Sequence, residues 1–394
     1  MEVAVVVGVV ATIVALVGLL GRSADGLAKP SQIAVMALPL GIIAGGYAAS
    51  IGASLVWILL AVVSVFLAVL AGSFVGVSPA VSAHHLRPAS AGLSLTFSGL
   101  IALGMAAIVI VWASHLISAF SFLNGVVLKL VLVLAAVAFG IGGRGAVGLS
   151  RLVLVLLIVG GVGMFAIGIV LGDPSGLTAP EVPVPSVSPV GAIVYAVAVV
   201  LIGAGLPVLR EASDGNRRAA VIAGVVLALI TLISLVGMAS LYGGAFQLPS
   251  LVINIFPVFT PVAFNAVFCG LVAIISTVTA GASIQEASRM VAAIQPKWYE
   301  DIERRRAPRR RVAILMGVGV FVVTLINQSP TVVVALLGVL GAANLVAEWT
   351  MARAEKTQAA EGSATSSDED PGGGTAGTSD GVPAVAGDSA APGT

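Results

Sequence analysis

The sequence predicts an all-α integral membrane protein of about eleven transmembrane helices. Three observations carry this. The chain is 58% hydrophobic and only 9% charged, where a soluble domain carries roughly 25% charged residues. Its mean hydropathy is +1.12. Its apolar residues fall in eleven segments, 3–21, 31–50, 54–77, 95–119, 124–141, 147–171, 188–209, 219–243, 258–288, 312–328 and 330–349. A hydrocarbon core of ~30 Å needs ~20 apolar residues per helix, and most segments reach that. They are too long for porin strands and lack polar/apolar alternation. Within lipid every backbone N–H and C=O must be paired, so helices remain.

The cations are sorted. Eighteen of the 19 Lys and Arg residues lie at odd-numbered connections or in the tail. They are Arg22 and Lys29, Arg87, Arg144 and Arg151, Arg210 with Arg217 and Arg218, the run from Arg289 to Arg311, then Arg353 and Lys356. Even-numbered connections have none, and only Lys129, inside segment 5, breaks the pattern. Lys and Arg are retained on the cytoplasmic side during insertion. The expected topology is therefore a multi-pass protein of the cell membrane, N-terminus outside and C-terminus cytoplasmic. A Cys placed at Ser186 should react with an impermeant reagent from outside, and one at Ser213 only from inside. The opposite labelling would end this topology.

Segment 1 is preceded by Glu2 and by no cation, so it reads as a leading helix rather than a signal peptide. The Pro-rich stretch 173–188 separates segments 2–6 from segments 7–11. Two halves of five helices each run in opposite senses, so repeat one (31–171) and repeat two (188–349) are expected to be inverted copies, a common transporter construction. Residues 247–261 hold Pro249, Pro257 and Pro261 around Ile253, Ile255 and Phe256, which suits a short interfacial helix or gate. Residues 1–350 form the transmembrane domain. Residues 351–394 are Gly-, Ser-, Ala- and Pro-rich with an acidic knot at Asp368-Glu369-Asp370, and are expected to be a disordered cytoplasmic tail.

Candidate chemistry is sparse. No catalytic or phosphate-cradling motif occurs, so an enzyme is not expected, and the net charge of +1 gives no reason to expect nucleic acid. The single cysteine, Cys269, excludes a disulfide framework. His84-His85 sit in a connection without a third ligand, and His115 near the outer end of segment 4. Lys129 lies about one turn inside the membrane. It would snorkel to the interface or contact a gate or substrate, since an intramembrane cation is otherwise costly. Segment 9 is the most informative. Ala273, Ser276 and Thr277 stand at i, i+3 and i+4, on one face. Two hydroxyls with a backbone carbonyl make a patch of hard oxygen ligands for an alkali ion. Serine and threonine in membrane helices also bond their own i−4 carbonyl or a neighbouring helix.

The run Ala273-Ile-Ile-Ser276-Thr277 resembles the Ala-x-x-Ser-Ser/Thr pattern in the eighth core helix of the sodium/solute symporter family. Gly142-Gly143-Arg-Gly-Ala146-Val147-Gly-Leu-Ser150-Arg151-Leu-Val-Leu154 resembles that family's turn into its fifth core helix. Leu206-Pro207-Val-Leu-Arg210-Glu-Ala-Ser-Asp214-Gly-Asn-Arg217-Arg218 resembles its connection between core helices six and seven. The resemblance covers about residues 1–350. It implies a leucine-transporter-type core behind one leading helix, and sodium-coupled symport of a small organic solute by alternating access. Na⁺ would be held by Ala273, Ser276 and Thr277, completed by carbonyls of a broken first core helix. In segment 2 the break would fall among Pro39, Gly41, Gly45 and Gly46, making Gly41 and Gly45 sodium ligands. Counting back from Tyr47 without gaps points instead to Ser31 and Ala34. Gly46 and Tyr47, with Lys129, would meet the substrate. Arg151 stands where the family has a ligating Asp, so an additional sodium site there is not expected. The mostly apolar surroundings disfavour a sugar. The alternative is a non-transporting sensor or structural subunit that keeps the fold. The partners implied are the lipid bilayer and a small solute.

Overall fold

The computed structural model describes residues 2–20, 29–50, 54–74, 89–121, 123–142, 147–171, 177, 189–209, 217–242, 261–294, 306–326 and 330–366. The described residues form eleven long helices: α1 Glu2–Leu20, α2 Pro30–Ser50, α3 Leu55–Phe74, α4 Ala89–Ala119, α5 Gly125–Ile141, α6 Val147–Leu171, α7 Pro189–Ala204, α8 Arg217–Tyr242, α9 Pro261–Ala293, α10 Arg306–Ile326 and α11 Pro330–Ser366. Eight of them contain stretches long and apolar enough to cross a bilayer, and α5 and α7 are shorter apolar helices. The chain is a multi-pass membrane protein. The connections holding Arg22, Arg87, Arg144, His84-His85 and the Pro-rich stretch at 247–260 lie outside the described residues.

Local signals fix the helix starts. α2, α7, α9 and α11 each begin on a proline, whose missing N–H costs nothing in a first turn. Before α2, the Gln32 side chain accepts the Lys29 backbone N–H at 3.0 Å, one half of a capping box. Asn124 caps α5 by accepting from Val126 N at 2.9 Å. Burial follows the helical period. On α1, Val3, Val7, Ala11, Val14 and Gly18 are buried, while Val5, Val9, Ile13, Leu16 and Leu20 are exposed. One stripe faces protein and the opposite face is apolar and outward, as lipid requires.

Residues Met1–Met351 form one compact unit and Ala352–Thr394 a second. Within the first, α2, α3, α7 and α8 pack on one another, and α4, α5, α9 and α10 form a second group that α1 joins. α6 packs against α8 and α2 and also against α9. α11 reaches both groups. A Cβ on its Gly341 would overlap Leu201 of α7, and Leu337 lies against Gly104 of α4. It is also tied to α4 by a buried network, in which Ser94 Oγ donates to Asn344 Oδ1 at 3.0 Å and to Glu348 Oε1 at 3.3 Å. Asn344 Nδ2 donates to the same carboxylate oxygen at 3.1 Å.

Two seams, one within the first group and one between α6 and α8, bring backbones together. A Cβ on Gly203 would meet the Ala68 carbonyl oxygen at 2.5 Å, and one on Gly72 the Gly203 oxygen at 2.5 Å. Gly168 and Gly237 close α6 on α8 in the same way. Without a hydrophobic drive between helices in lipid, such close packing supplies the association energy.

The helix α11 runs to Ser366, past the point where the sequence was expected to become disordered. Ala352, Glu355, Lys356, Gln358, Ala359, Ala360 and Glu361 are strong helix formers, and low hydrophobicity does not prevent a helix that extends an existing one. Residues 367–394, including the acidic knot, lie outside the described residues.

Candidate functional site

The sequence placed a helix break in segment 2, and the structure moves it. α2 is continuous from Pro30 to Ser50, with Pro39 inside it. The break falls in segment 7. α7 ends at Ala204 and helix resumes only at Pro207. Gly205 N donates to both Leu201 O and Ile202 O, and Leu206 N to Gly203 O at 3.0 Å. The cause is Pro207. It has no N–H for the Gly203 carbonyl, which takes the Leu206 donor instead and tightens the last turn. Pro39 is tolerated because its neighbours keep α2 packed on both sides.

Gly41 and Gly45 also face elsewhere than expected. A Cβ on Gly41 would meet Thr231 and Leu227, and one on Gly45 would meet Leu235. All three are on α8, not α9. What meets α9 is the earlier part of α2. Val35 is buried in one cluster with Val278, with Ile274 and Ile275 packed against it. That stretch of α9 carries Ser276 and Thr277, and Val35 adjoins Ala34, near which the ungapped count pointed. Pro39 also lacks the N–H that would have bonded the Val35 carbonyl.

Ala273, Ser276 and Thr277 are fully buried. Ser276 Oγ donates to the Ala273 carbonyl at 3.2 Å and Thr277 Oγ1 to the same oxygen at 2.6 Å. Each hydroxyl has therefore spent its proton on its own helix, leaving oxygen lone pairs as its remaining capacity. A cation asks for such lone pairs. One turn on, Thr279 Oγ1 is buried with no hydrogen-bond partner among the described residues, a costly state in an apolar interior. These neutral oxygens fit an alkali ion. Ser150 is buried, whereas Arg151 is exposed, so that cation stands away from the patch.

A cavity of about 310 Å³ lies between the two helix groups. It is lined by Ile42, Ile43, Gly46 and Tyr47 of α2, Trp112 and His115 of α4, Tyr195 of α7, Val323 of α10 and Val333 and Val334 of α11, among others. Gly46 and Tyr47 are thus together on one cavity wall. The Tyr47 and Tyr195 rings stack with centroids 4.0 Å apart and planes at 13°. Lys129 is not among the lining residues. Its Nζ donates to the Thr324 carbonyl at 3.0 Å, which ties α5 to α10 and satisfies the ammonium inside protein. Sequence reasoning missed Tyr195 and Trp112 and gave His115 no role. Their signal was scarcity: the chain has 4 Tyr, 4 Trp and 3 His, and four of those eleven line this one cavity.

No family model matches the chain, and no curated protein matches its sequence. Its fold is similar to that of a solved structure, a Na⁺-coupled sialic acid symporter in its substrate-bound, outward-open state. The TM-score is 0.62 at 15% identity, over 88% of this chain and 85% of that one. The chain has a sodium-symporter-like fold.

Proposed function

We propose that this protein is a secondary transporter that couples Na⁺ to the movement of a small organic solute. The observation that carries the reading is the placement of the buried Ser276-Thr277 pair on α9 against the Val35 stretch of α2, below a cavity between two helix groups. Several features support it. The first two helices of each five-helix half fall in one packed group, and the third and fourth of each half in the other, as two inverted repeats would require. Rocking one group against the other would open the cavity to alternate sides. With the topology read from the cations, the cavity faces outward and the Ser-Thr pair lies deeper.

Na⁺ would be held by the hydroxyl oxygens of Ser276 and Thr277 and the Val35 carbonyl, with Ala273 orienting the hydroxyls through its carbonyl. Neutral ligands hold Na⁺ weakly, which suits an ion that must be released inside. The symporter of similar fold carries sialic acid, but here no Lys or Arg among the described residues lines the cavity to meet a carboxylate. From Val35 to Gly46 is eleven residues of continuous helix, about 16 Å. Ion and solute would therefore communicate through α2 rather than by touching. The ion stabilises the state it binds, and its differential affinity shifts the population.

Purified protein in vesicles should accumulate solute when an inward Na⁺ gradient is imposed and not with K⁺ in its place. Absence of any Na⁺ effect on both uptake and thermal stability would favour a sensor or structural subunit of the same fold.

A further inference from the structure

The cavity described above has a chemical character that narrows the solute. We infer that it takes an uncharged, planar ring compound, inserted against the stacked Tyr47–Tyr195 wall. This rests on the transport reading for its context but on different atoms.

Among the described residues, the polar atoms of the lining side chains are all borne on rings: two phenol hydroxyls, the Trp112 indole N–H and the His115 imidazole. Every other lining residue is Ile, Val, Ala or Gly. Among the described residues, no lining side chain carries an amide, an aliphatic hydroxyl or a carboxylate, which a polyol would need for its hydroxyl groups. A zwitterion is disfavoured on separate grounds. An α-carboxylate in such folds is met by the exposed N–H groups of a broken helix, but α2 is continuous past Gly46 and Tyr47. The break in α7 lies at Gly205–Leu206, ten residues or about 15 Å along the helix from Tyr195. A charged group in the cavity would thus lose its hydration and gain neither an opposite Lys, Arg, Asp or Glu charge among the described lining residues nor a helix terminus, only a few ring-borne donors. A flat ring loses little, because it exchanges water for the faces of aromatic side chains and places its edge heteroatoms near ring-borne donors.

The shape agrees. The two tyrosine rings lie nearly parallel and 4.0 Å apart, so they act as one rigid plate, with a small crevice behind it bounded by Trp57, Ala61 and Val199. A saturated ring, puckered and thicker, would make fewer contacts with this plate.

Isothermal titration of the purified full-length protein, with and without Na⁺, tests this with three planar neutral probes (benzamide, nicotinamide and uracil). The comparison compounds are cyclohexanecarboxamide, which keeps the amide and loses planarity, and benzoate, which keeps planarity and gains charge. The expected result is millimolar or tighter binding of at least one planar neutral probe, with each comparison compound at least tenfold weaker. Tyr195→Leu should weaken that probe about tenfold, the size of a lost ring contact, while Tyr195→Phe binds within a factor of about three. Equal binding of cyclohexanecarboxamide, tighter binding of benzoate, or no response to any planar probe would overturn the inference. A protein that binds benzamide but ignores Na⁺ would sink the symport reading and leave this one standing. A protein stabilised by Na⁺ that ignores all three planar probes would do the reverse.

Discussion

The double substitution Ser276→Ala with Thr277→Val should abolish the proposed Na⁺ response of this protein while leaving it folded. Each exchange is nearly isosteric and removes a hydroxyl that donates only within its own helix: Thr277 Oγ1 reaches the Ile274 carbonyl at 3.2 Å, and both hydroxyls share the Ala273 carbonyl. That carbonyl belongs to a helix interior, so loss of the side-chain donors leaves it paired. Stability without Na⁺ should fall by no more than about 1–3 kcal/mol, because two hydroxyls are lost, each hydrogen bond is worth only ~0.5–1.5 kcal/mol net, and Ala and Val are the better-tolerated residues in an apolar helix. In the wild type, Na⁺ at about tenfold above Kd adds ~1.4 kcal/mol by mass action. A thermal melt in detergent across a Na⁺ series, with K⁺ keeping ionic strength fixed, separates the two. A double variant that still shifts with Na⁺ would remove these hydroxyls from the site.

Gly203→Leu should be among the most destabilising single changes in the membrane domain. The position a Cβ would take is 2.5 Å from both the Ala68 carbonyl oxygen and the Ala68 methyl. The obstructing atoms are backbone and Cβ, so no rotamer of a neighbour can yield, and α3 and α7 must separate along the seam. Overpacking usually costs ~1–3 kcal/mol and more where backbone must move, so a loss of at least ~3 kcal/mol or a failure to accumulate folded protein is expected. Gly160→Leu is the control, since nothing lies within 4 Å of its Cβ position. Equal melting temperatures for the two variants would show that the seam is not as close as described.

Much of the architecture is legible in the sequence because lipid imposes a strict rule on it. Any stretch that crosses must be apolar and helical, so the eleven segments and the eleven helices correspond with shifts of a few residues at most ends. The proline starts of α2, α7, α9 and α11 can be read the same way. The break could not be placed this way. Pro39 and Pro207 look alike as residues, and which one interrupts its helix is decided by neighbours. Pro39 sits in a helix packed against α3, α8 and α9, whereas the turn before Pro207 is wedged by Ile101 against Gly205. Which face of α2 meets α9 was equally hidden, because α2 is buried nearly all round and has no polar stripe to orient it. The pair Gly46 and Tyr47 was found by family register, but Tyr195, Trp112 and His115 come from two other helices. Nothing in linear order brings them together. Lys129 showed only a need for a partner; that the partner is a backbone carbonyl on α10 required the fold.

The glycine seams and the cavity draw on largely different helices and share only α7. Ile43, Tyr47 and Tyr195 look into the cavity, while Gly72, Gly203, Gly168 and Gly237 hold backbones together elsewhere. Selectivity and mechanical integrity are therefore written in separate alphabets. The lining can be exchanged residue by residue, by drift or by design, without loosening the seams. Among the described positions, Val111, Val333 and Val334 are the natural places to introduce an amide or a charge and so change what the cavity accepts.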